Sequence, residues 1–231
     1  MDRILPDRSV GVDLLDAFAP TGESQVRLGM VMSVDGSVTD EEGWTSKLGG
    51  PADRRMLRAL RGTAGVILVG AGSVRTGRYP PHRPTAAIRG WRRRAGLPEV
   101  APLAVITRSG DLDRALPVFT EAEVPTLVVG ADGLRSTVAG LRERFGDVLC
   151  EGGPGLATAL FDAGLVDEVV LSVAPSLLPG DNGRLVTGLT TRRELTLREV
   201  YEEGGEVFLR YGISSSSVPG SGKSGDTTPA T

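Results

Sequence analysis

Three short stretches carry residue types that can do chemistry, and each one follows an apolar run. In Gly70-Ala-Gly-Ser73, two glycines come directly after Gly65-Val-Ile-Leu-Val69. Glycines at the end of a strand let a ligand approach the backbone closely, and the free N–H groups of such a loop can hold a phosphate or a polar ring. A tight turn has the same composition. Glu151-Gly-Gly-Pro-Gly-Leu156 follows a run ending in Cys150 and opens a helix-period segment. Its N–H donors and the positive end of a helix dipole suit a pyrophosphate. The plainer reading is a strand-to-helix turn, but an acid at the mouth of such a turn is costly unless it meets something polar. Ser33-Val-Asp-Gly36 ends a third apolar run and is followed by Thr45, Ser46 and Lys47. An aspartate there can orient a substrate or relay a proton, although Asp-Gly is also an ordinary turn.

The elements that must position these stretches are legible as alternating apolar runs and helix-period segments, the pattern of an α/β sheet. Strands are expected at about 26–33, 65–70, 102–107, 125–130, 147–150 and 167–174. Helices fit 51–62, 134–145 and 154–163, because Met56, Leu57 and Leu60 recur at helical spacing and Pro51 and Pro154 suit a first turn. Runs 194–201 and 206–212, joined by Glu202-Glu-Gly-Gly205, read as a β-hairpin. The three stretches then fall at C-terminal strand ends of one sheet, where open α/β sheets bind ligands. The Gly70 run lacks the third glycine of the dinucleotide fingerprint.

The flanks are expected to contribute less. Residues 1–24, with Val12, Leu14, Leu15 and Phe18, read as a lead-in segment with a helix packed on a single domain at 25–213. Residues 214–231 have almost nothing apolar to bury and read as a disordered tail. The region 75–101 reads as the longest irregular insertion. Its Arg89, Arg92, Arg93 and Arg94 around Trp91 suit either a solvated basic helix or capture of a phosphate or carboxylate.

Composition narrows the function classes. The 26 basic and 29 acidic residues of the 231 are interspersed, which argues against a nucleic-acid surface. Small molecules are the expected partners. No continuous apolar stretch at the N-terminus suggests a leader or a membrane span, so a cytoplasmic location is expected. The single cysteine, Cys150, reads as a buried inert thiol, and no disulfide is possible within the chain. The single histidine, His82, reads as a solvated loop side chain, and no metal site is expected.

The order of motifs adds a resemblance. Arg27-Leu-Gly-Met-Val-Met-Ser-Val-Asp-Gly36, Leu57-Arg-Ala-Leu-Arg61, Gly65-Val-Ile-Leu-Val-Gly-Ala-Gly-Ser-Val74, Leu149-Cys-Glu-Gly-Gly-Pro-Gly-Leu156, and Leu165-Val-Asp-Glu168 with Ala174-Pro-Ser-Leu-Leu178 resemble the RibD reductase family over residues 25–212. The resemblance implies a three-layer α/β/α, dihydrofolate-reductase-like fold whose mostly parallel mixed sheet ends in a C-terminal β-hairpin. It implies NADPH as cofactor, contacted by Met32, Asp53, Val69, Gly70, Ala71, Gly72, Ser73, Thr107, Arg108, Ser109, Gly152, Gly153, Pro154, Gly155 and Leu156. Arg108 suits the 2′-phosphate, since a guanidinium binds phosphate in a fork. Thr45, Ser46, Arg61 and Glu151 fall where the family contacts substrate, and Asp35 with Glu151 are the candidate catalytic groups, Asp35 for positioning or protonating the reacting atom. The implied reaction is reduction of a ribosylamino-pyrimidine in riboflavin biosynthesis, with dihydrofolate or pterin reduction and a non-catalytic nucleotide-binding relative as alternatives. A homodimer is also implied. The family usually carries Thr-Val-x-x-Asp-Asp-Pro after the glycine loop, whereas this chain reads Ser73-Val-Arg-Thr-Gly-Arg-Tyr79, and a lysine common before the first motif is Arg27 here.

Overall fold

The computed structural model describes residues 1–45, 47–75 and 79–213. In chain order the elements are β1 (Asp2–Leu5), α1 (Leu14–Ala17), β2 (Val26–Ser33), α2 (Pro51–Thr63), β3 (Val66–Gly70), α3 (Ala71–Arg75), α4 (Ala86–Arg94), β4 (Leu103–Thr107), α5 (Pro117–Thr120), β5 (Leu127–Gly130), α6 (Leu134–Phe145), β6 (Val148–Cys150), α7 (Pro154–Asp162), β7 (Glu168–Ala174), β8 (Leu195–Glu203) and β9 (Glu206–Ile213). The nine strands form one sheet in the order β1-β8-β9-β7-β2-β6-β3-β4-β5. Strands β7, β2, β6, β3, β4 and β5 are parallel, and β9, β8 and β1 add antiparallel pairs. The eight strands and three helices expected from periodicity are all present, with ends shifted by two residues or fewer.

Burial explains why the central strands read as unbroken apolar runs. Strands β3, β4 and β6 are covered on both faces, so every residue between Val66 and Val69, Leu103 and Thr107, and Val148 and Cys150 is buried. On one face Leu28, Leu68, Val148 and Cys150 pack with Val138 and Leu141 of α6 and Ala157 and Leu160 of α7. On the other, Leu149, Val170 and Phe208 pack with Met56 and Leu60 of α2 and with Phe18. The β8–β9 hairpin closes through Gly204 and Gly205, whose φ values of 63° and 84° make the tight turn that favours two glycines.

Three expectations change. The lead-in segment is helical only over Leu14–Ala17, and Asp2–Leu5 instead extends the sheet as an edge strand on β8. The hairpin therefore lies inside the sheet, with β1 as its edge. The insertion at 75–101 holds α4, started by the Thr85 hydroxyl accepting from the Ile88 N–H. Ile88, Trp91 and Arg92 sit three and four residues apart, so they share one buried face. Arg92 is 0% exposed. It donates to the carbonyls of Gly62 and Ala64 at 2.9 and 2.7 Å and of Pro98 at 2.6 Å, and so closes the C-terminal end of α2. A basic helix solvated throughout is thus corrected at that residue. Arg89 and Arg93 do reach carboxylates, but those of Glu123 and Glu99 in the same chain.

Candidate functional site

The short central strand makes a notch. Strand β6 stops at Cys150, level with Leu28 of β2 and Leu68 of β3, while those neighbours continue to Ser33 and Gly70. Glu151, Gly152 and Gly153 occupy the gap. The Glu151 N–H donates to the Leu68 carbonyl at 3.0 Å, and the Gly70 N–H donates to the Gly152 carbonyl at 2.9 Å. The two glycine loops are therefore joined to each other, as their position on adjacent parallel strands requires.

Side-chain alternation then sorts the notch into two faces. On the α7 face, Met30 lies under Gly152, whose φ of 78° favours glycine and where a Cβ would come 3.1 Å from the Met30 sulfur. Met32 shares that face. A Cβ on Gly153 would lie 3.7 Å from the Ser73 hydroxyl, while one on Gly72 or Gly155 would meet no atom of the described residues within 4 Å. Pro154 is the first residue of α7, and its N-cap, Gly153, brings no side-chain bond to the helix start. Beside this, at the end of β4, Thr107 accepts from the Gly110 N–H, and Ser109 accepts from Arg75. Arg108 is exposed and has no polar partner among the described residues. Val69 and Ala71 are buried on the opposite face of β3, among Ile67, Val74 and Val105. The cofactor residues expected at Met32, Gly70, Gly72, Ser73, Thr107, Arg108, Ser109 and Gly152 through Leu156 are thus gathered at one edge of the sheet.

On the α2 face, Glu151 points at Arg61. The guanidinium donates from Nε to Oε1 and from Nη2 to Oε2, both at 2.6 Å, in a two-pronged pair whose side chains are 17% and 8% exposed. The Tyr79 hydroxyl donates to Oε2 at 2.5 Å and accepts from Arg61 Nη2 at 3.1 Å. Burial would push the Glu151 carboxyl up, but the Arg61 guanidinium and the Tyr79 hydroxyl hold it below the usual carboxylate range. Burial and the Glu151 anion push the Tyr79 phenol well up. His82 follows on the same loop. Burial, with Arg61 next, brings its imidazole down to about 4, and its Nε2 is shielded with no hydrogen-bond partner among the described residues. The expectation of a solvated histidine is overturned, because Tyr79-Pro-Pro folds the loop back over α2 instead of leaving it in water.

Of the remaining expected residues, Asp35 and Thr45 stand apart from that cluster, and Asp53 faces it through charge without a hydrogen bond to Glu151. Asp35 is exposed just beyond β2, where its carboxylate accepts from the Ser33 hydroxyl and, at 3.3 Å, from the Leu178 N–H. The Ser33 hydrogen bond is the main cause that lowers its pKa, so the group favours its anion. Thr45 is exposed in the β2–α2 connection and donates to the Val38 carbonyl at 3.1 Å. Ser46 lies outside the described residues. Asp53, in the first turn of α2, has Gly49, Ser172 and Glu206 around it and feels the Glu151 anion, but touches none of the glycines of the two loops. Burial, opposed by a Ser172 hydrogen bond and assisted by Glu206, raises its pKa. Cys150 is buried and accepts from the Gly152 N–H, and burial pushes its thiol up to about 12, as expected of an inert position.

Tyr79 and Glu206 are the residues that sequence reasoning missed. Glu206 reaches across from β9 to accept from the Gly50 and Asp53 N–H groups at 3.1 Å, capping α2 from 153 positions or more away. No local pattern signals that. A tyrosine followed by two prolines was the only hint of Tyr79.

Comparison with known proteins decides the family. The RibD C-terminal domain matches residues 24–209. The chain belongs to that family. The riboflavin biosynthesis protein RibD of Mycobacterium tuberculosis is 29% identical over 160 residues, which are 69% of this chain and 44% of that protein, so the chain spans less than half the length of its curated relative. Among solved structures, a pyrimidine reductase-like protein from Corynebacterium diphtheriae superposes with a TM-score of 0.75 at 21% identity, covering 89% of this chain and 96% of the other. Dihydrofolate reductase from Enterococcus faecalis, complexed with NADP(H), superposes with a TM-score of 0.51 at 13% identity, covering 83% and 97%. The fold is dihydrofolate-reductase-like.

One residue in each of two family motifs, Arg27 and Glu168, is structural in this chain. Arg27 and Glu168 pair side by side at the start of β2 and β7, and Glu168 also accepts from Arg210 at 2.7 Å. Both guanidinium groups stack on the Phe18 ring. The replacement of lysine by Arg27 therefore falls at the N-terminal end of β2, level with Leu149 and outside the notch, where the side chain is paired with Glu168.

Proposed function

We propose that this chain is an NADPH-dependent reductase of a pyrimidine-type heterocycle, with a ribosylamino-pyrimidine as the substrate class. The observation that carries the reading is the notch itself, which sets a glycine-lined face and a charge-paired face on either side of Glu151. Family membership supports the reaction class. The Gly152–Gly153 backbone, with no side chain of the described residues filling the space over Gly72 and Gly155, fits a bound dinucleotide, and Met32, Ser73, Gly153 and Gly155 would hold it. Arg108, exposed and with no polar partner among the described residues, would take the 2′-phosphate. The cofactor supplies the hydride when bound.

The chain's own residues supply orientation and charge. Glu151, kept anionic, accepts from N–H or O–H groups of the substrate, and Arg61 holds it in place. Asp35 belongs at the substrate end of β2. Because its hydrogen bonds favour the anion, it orients a donor on the substrate and does not deliver a proton. Asp53 lines the α2 face behind it. A homodimer in the cytoplasm completes the proposal.

The test is NADPH oxidation with the ribosylamino-pyrimidine and with dihydrofolate, run beside Asp35→Asn. Turnover of the pyrimidine that weakens in the variant supports the proposal. Turnover of dihydrofolate alone replaces the substrate class with a pterin, and tight NADPH binding with no turnover of either points to a nucleotide-binding relative.

A further inference from the structure

The loop that departs most from the family pattern also supplies the third member of the Glu151 cluster. Where the RibD pattern has two aspartates, this chain has neither, and the first described residue after the gap is Tyr79. A carboxylate in hydrogen-bond reach of Glu151 would set two anions side by side and drive one of them to take a proton. A phenol does the opposite, since it donates to the carboxylate without bringing charge. Tyr79 does more than fill space. Its hydroxyl donates to Glu151 Oε2 at 2.5 Å, accepts from Arg61 Nη2 at 3.1 Å, and its ring lies under the same guanidinium, 5.7 Å from centroid to carbon. Arg61 alone fixes the plane of the carboxylate, and the phenol adds a contact from a different chain segment, so α2, the β6–α7 loop and the Pro-rich loop are tied at one point.

We propose that Tyr79 is a positioning residue of the substrate pocket, fixing the Glu151 carboxylate against Arg61 so that it presents one oriented acceptor to an N–H or O–H group of a heterocyclic substrate. The proposal rests on the reading of Glu151 as a substrate contact. The charged and titratable groups facing Glu151 are Arg61 and Asp53 of α2 and Tyr79 and His82 of the Pro-rich loop. Of these, only Tyr79 and Arg61 donate to it.

Tyr79→Phe tests this, because it keeps the ring under Arg61 and removes only the hydroxyl. KM for the heterocycle should rise about tenfold, with kcat changed less than about threefold and the NADPH Kd within about twofold, the split expected when binding of one ligand is lost. The acid limb of kcat/KM should move to higher pH, since a carboxylate that loses a donor takes a proton more readily. Carboxyl carbon NMR of the glutamates, with Glu151 assigned from its absence in Glu151→Gln, should show the same upward move without any turnover. A KM, pH profile and Glu151 titration all unchanged in Tyr79→Phe would overturn the proposal. Should the wild-type protein reduce no heterocycle, the proposed function fails on its own, and the NMR titration still decides whether Tyr79 holds Glu151.

Discussion

Acidification offers a direct check on the site, because the chain has one histidine. His82 is brought down to about 4 by burial and by the Arg61 guanidinium, with Arg92 and Arg89 adding to the effect and Glu151 opposing it. In the unfolded chain the same imidazole titrates near its ordinary 6.5. The unfolded state therefore takes up a proton as pH falls through 6.5, which the folded state refuses until about 4. His82 thus costs no stability above pH 6.5 and costs progressively more below it. The gap between 6.5 and about 4, at about 1.4 kcal/mol for each pH unit, amounts to about 3 kcal/mol by pH 4. Proton NMR of the imidazole C2–H should give a midpoint near 4. Urea unfolding at pH 7 and pH 4 should show His82→Gln losing less stability than the wild type across that interval, by up to about 3 kcal/mol. A C2–H midpoint between 6 and 7 would refute the packing of Tyr79-Pro-Pro-His82 over α2 and restore the solvated loop expected from sequence.

Three further outcomes follow from named contacts. Glu168→Gln should destabilise by about 3–5 kcal/mol, because an amide cannot satisfy Arg27 and Arg210 and leaves buried cations short of an anion. NADPH affinity measured alongside should be unchanged, and since the Glu168 carboxyl is lowered, the difference from wild type should shrink as pH falls below the ordinary carboxylate range. Arg92→Leu should cost about 3 kcal/mol in chemical denaturation, as the Gly62 and Ala64 carbonyls at the end of α2 and the Pro98 carbonyl after α4 lose their donor. Asp53→Asn should stabilise the fold at neutral pH, the gain vanishing near pH 4. The raised carboxyl means that the folded protein gives up its proton later than the unfolded chain, so stability falls as pH climbs through that interval, and differential scanning calorimetry at two pH values reads it.

The sequence by itself determined the sheet and its loops. Periodicity placed β2 through β7 and the β8–β9 hairpin because central strands must be apolar on both faces, and a two-glycine turn has few other uses. It placed Glu151 and the glycine loops at strand ends for the same reason, since α/β order fixes where strands stop. It missed β1, whose four residues DRIL carry no strand signal and which pairs only because β8 offers an open edge.

What only the tertiary structure decided depends on partners distant in the chain. Arg61 and Glu151 are 90 residues apart, Tyr79 and Glu151 72, and Glu206 caps a helix that begins more than 150 residues earlier. Arg92 read as one of four arginines suited either to water or to capture of an anion, whereas packing of α4 on α2 turns it inward onto backbone carbonyls. Charge and hydrogen-bonding type are written in each residue, but whether a group is desolvated, and which opposite charge it meets, is set by how the elements pack, and that is what separates the paired Glu151 from the exposed Asp35.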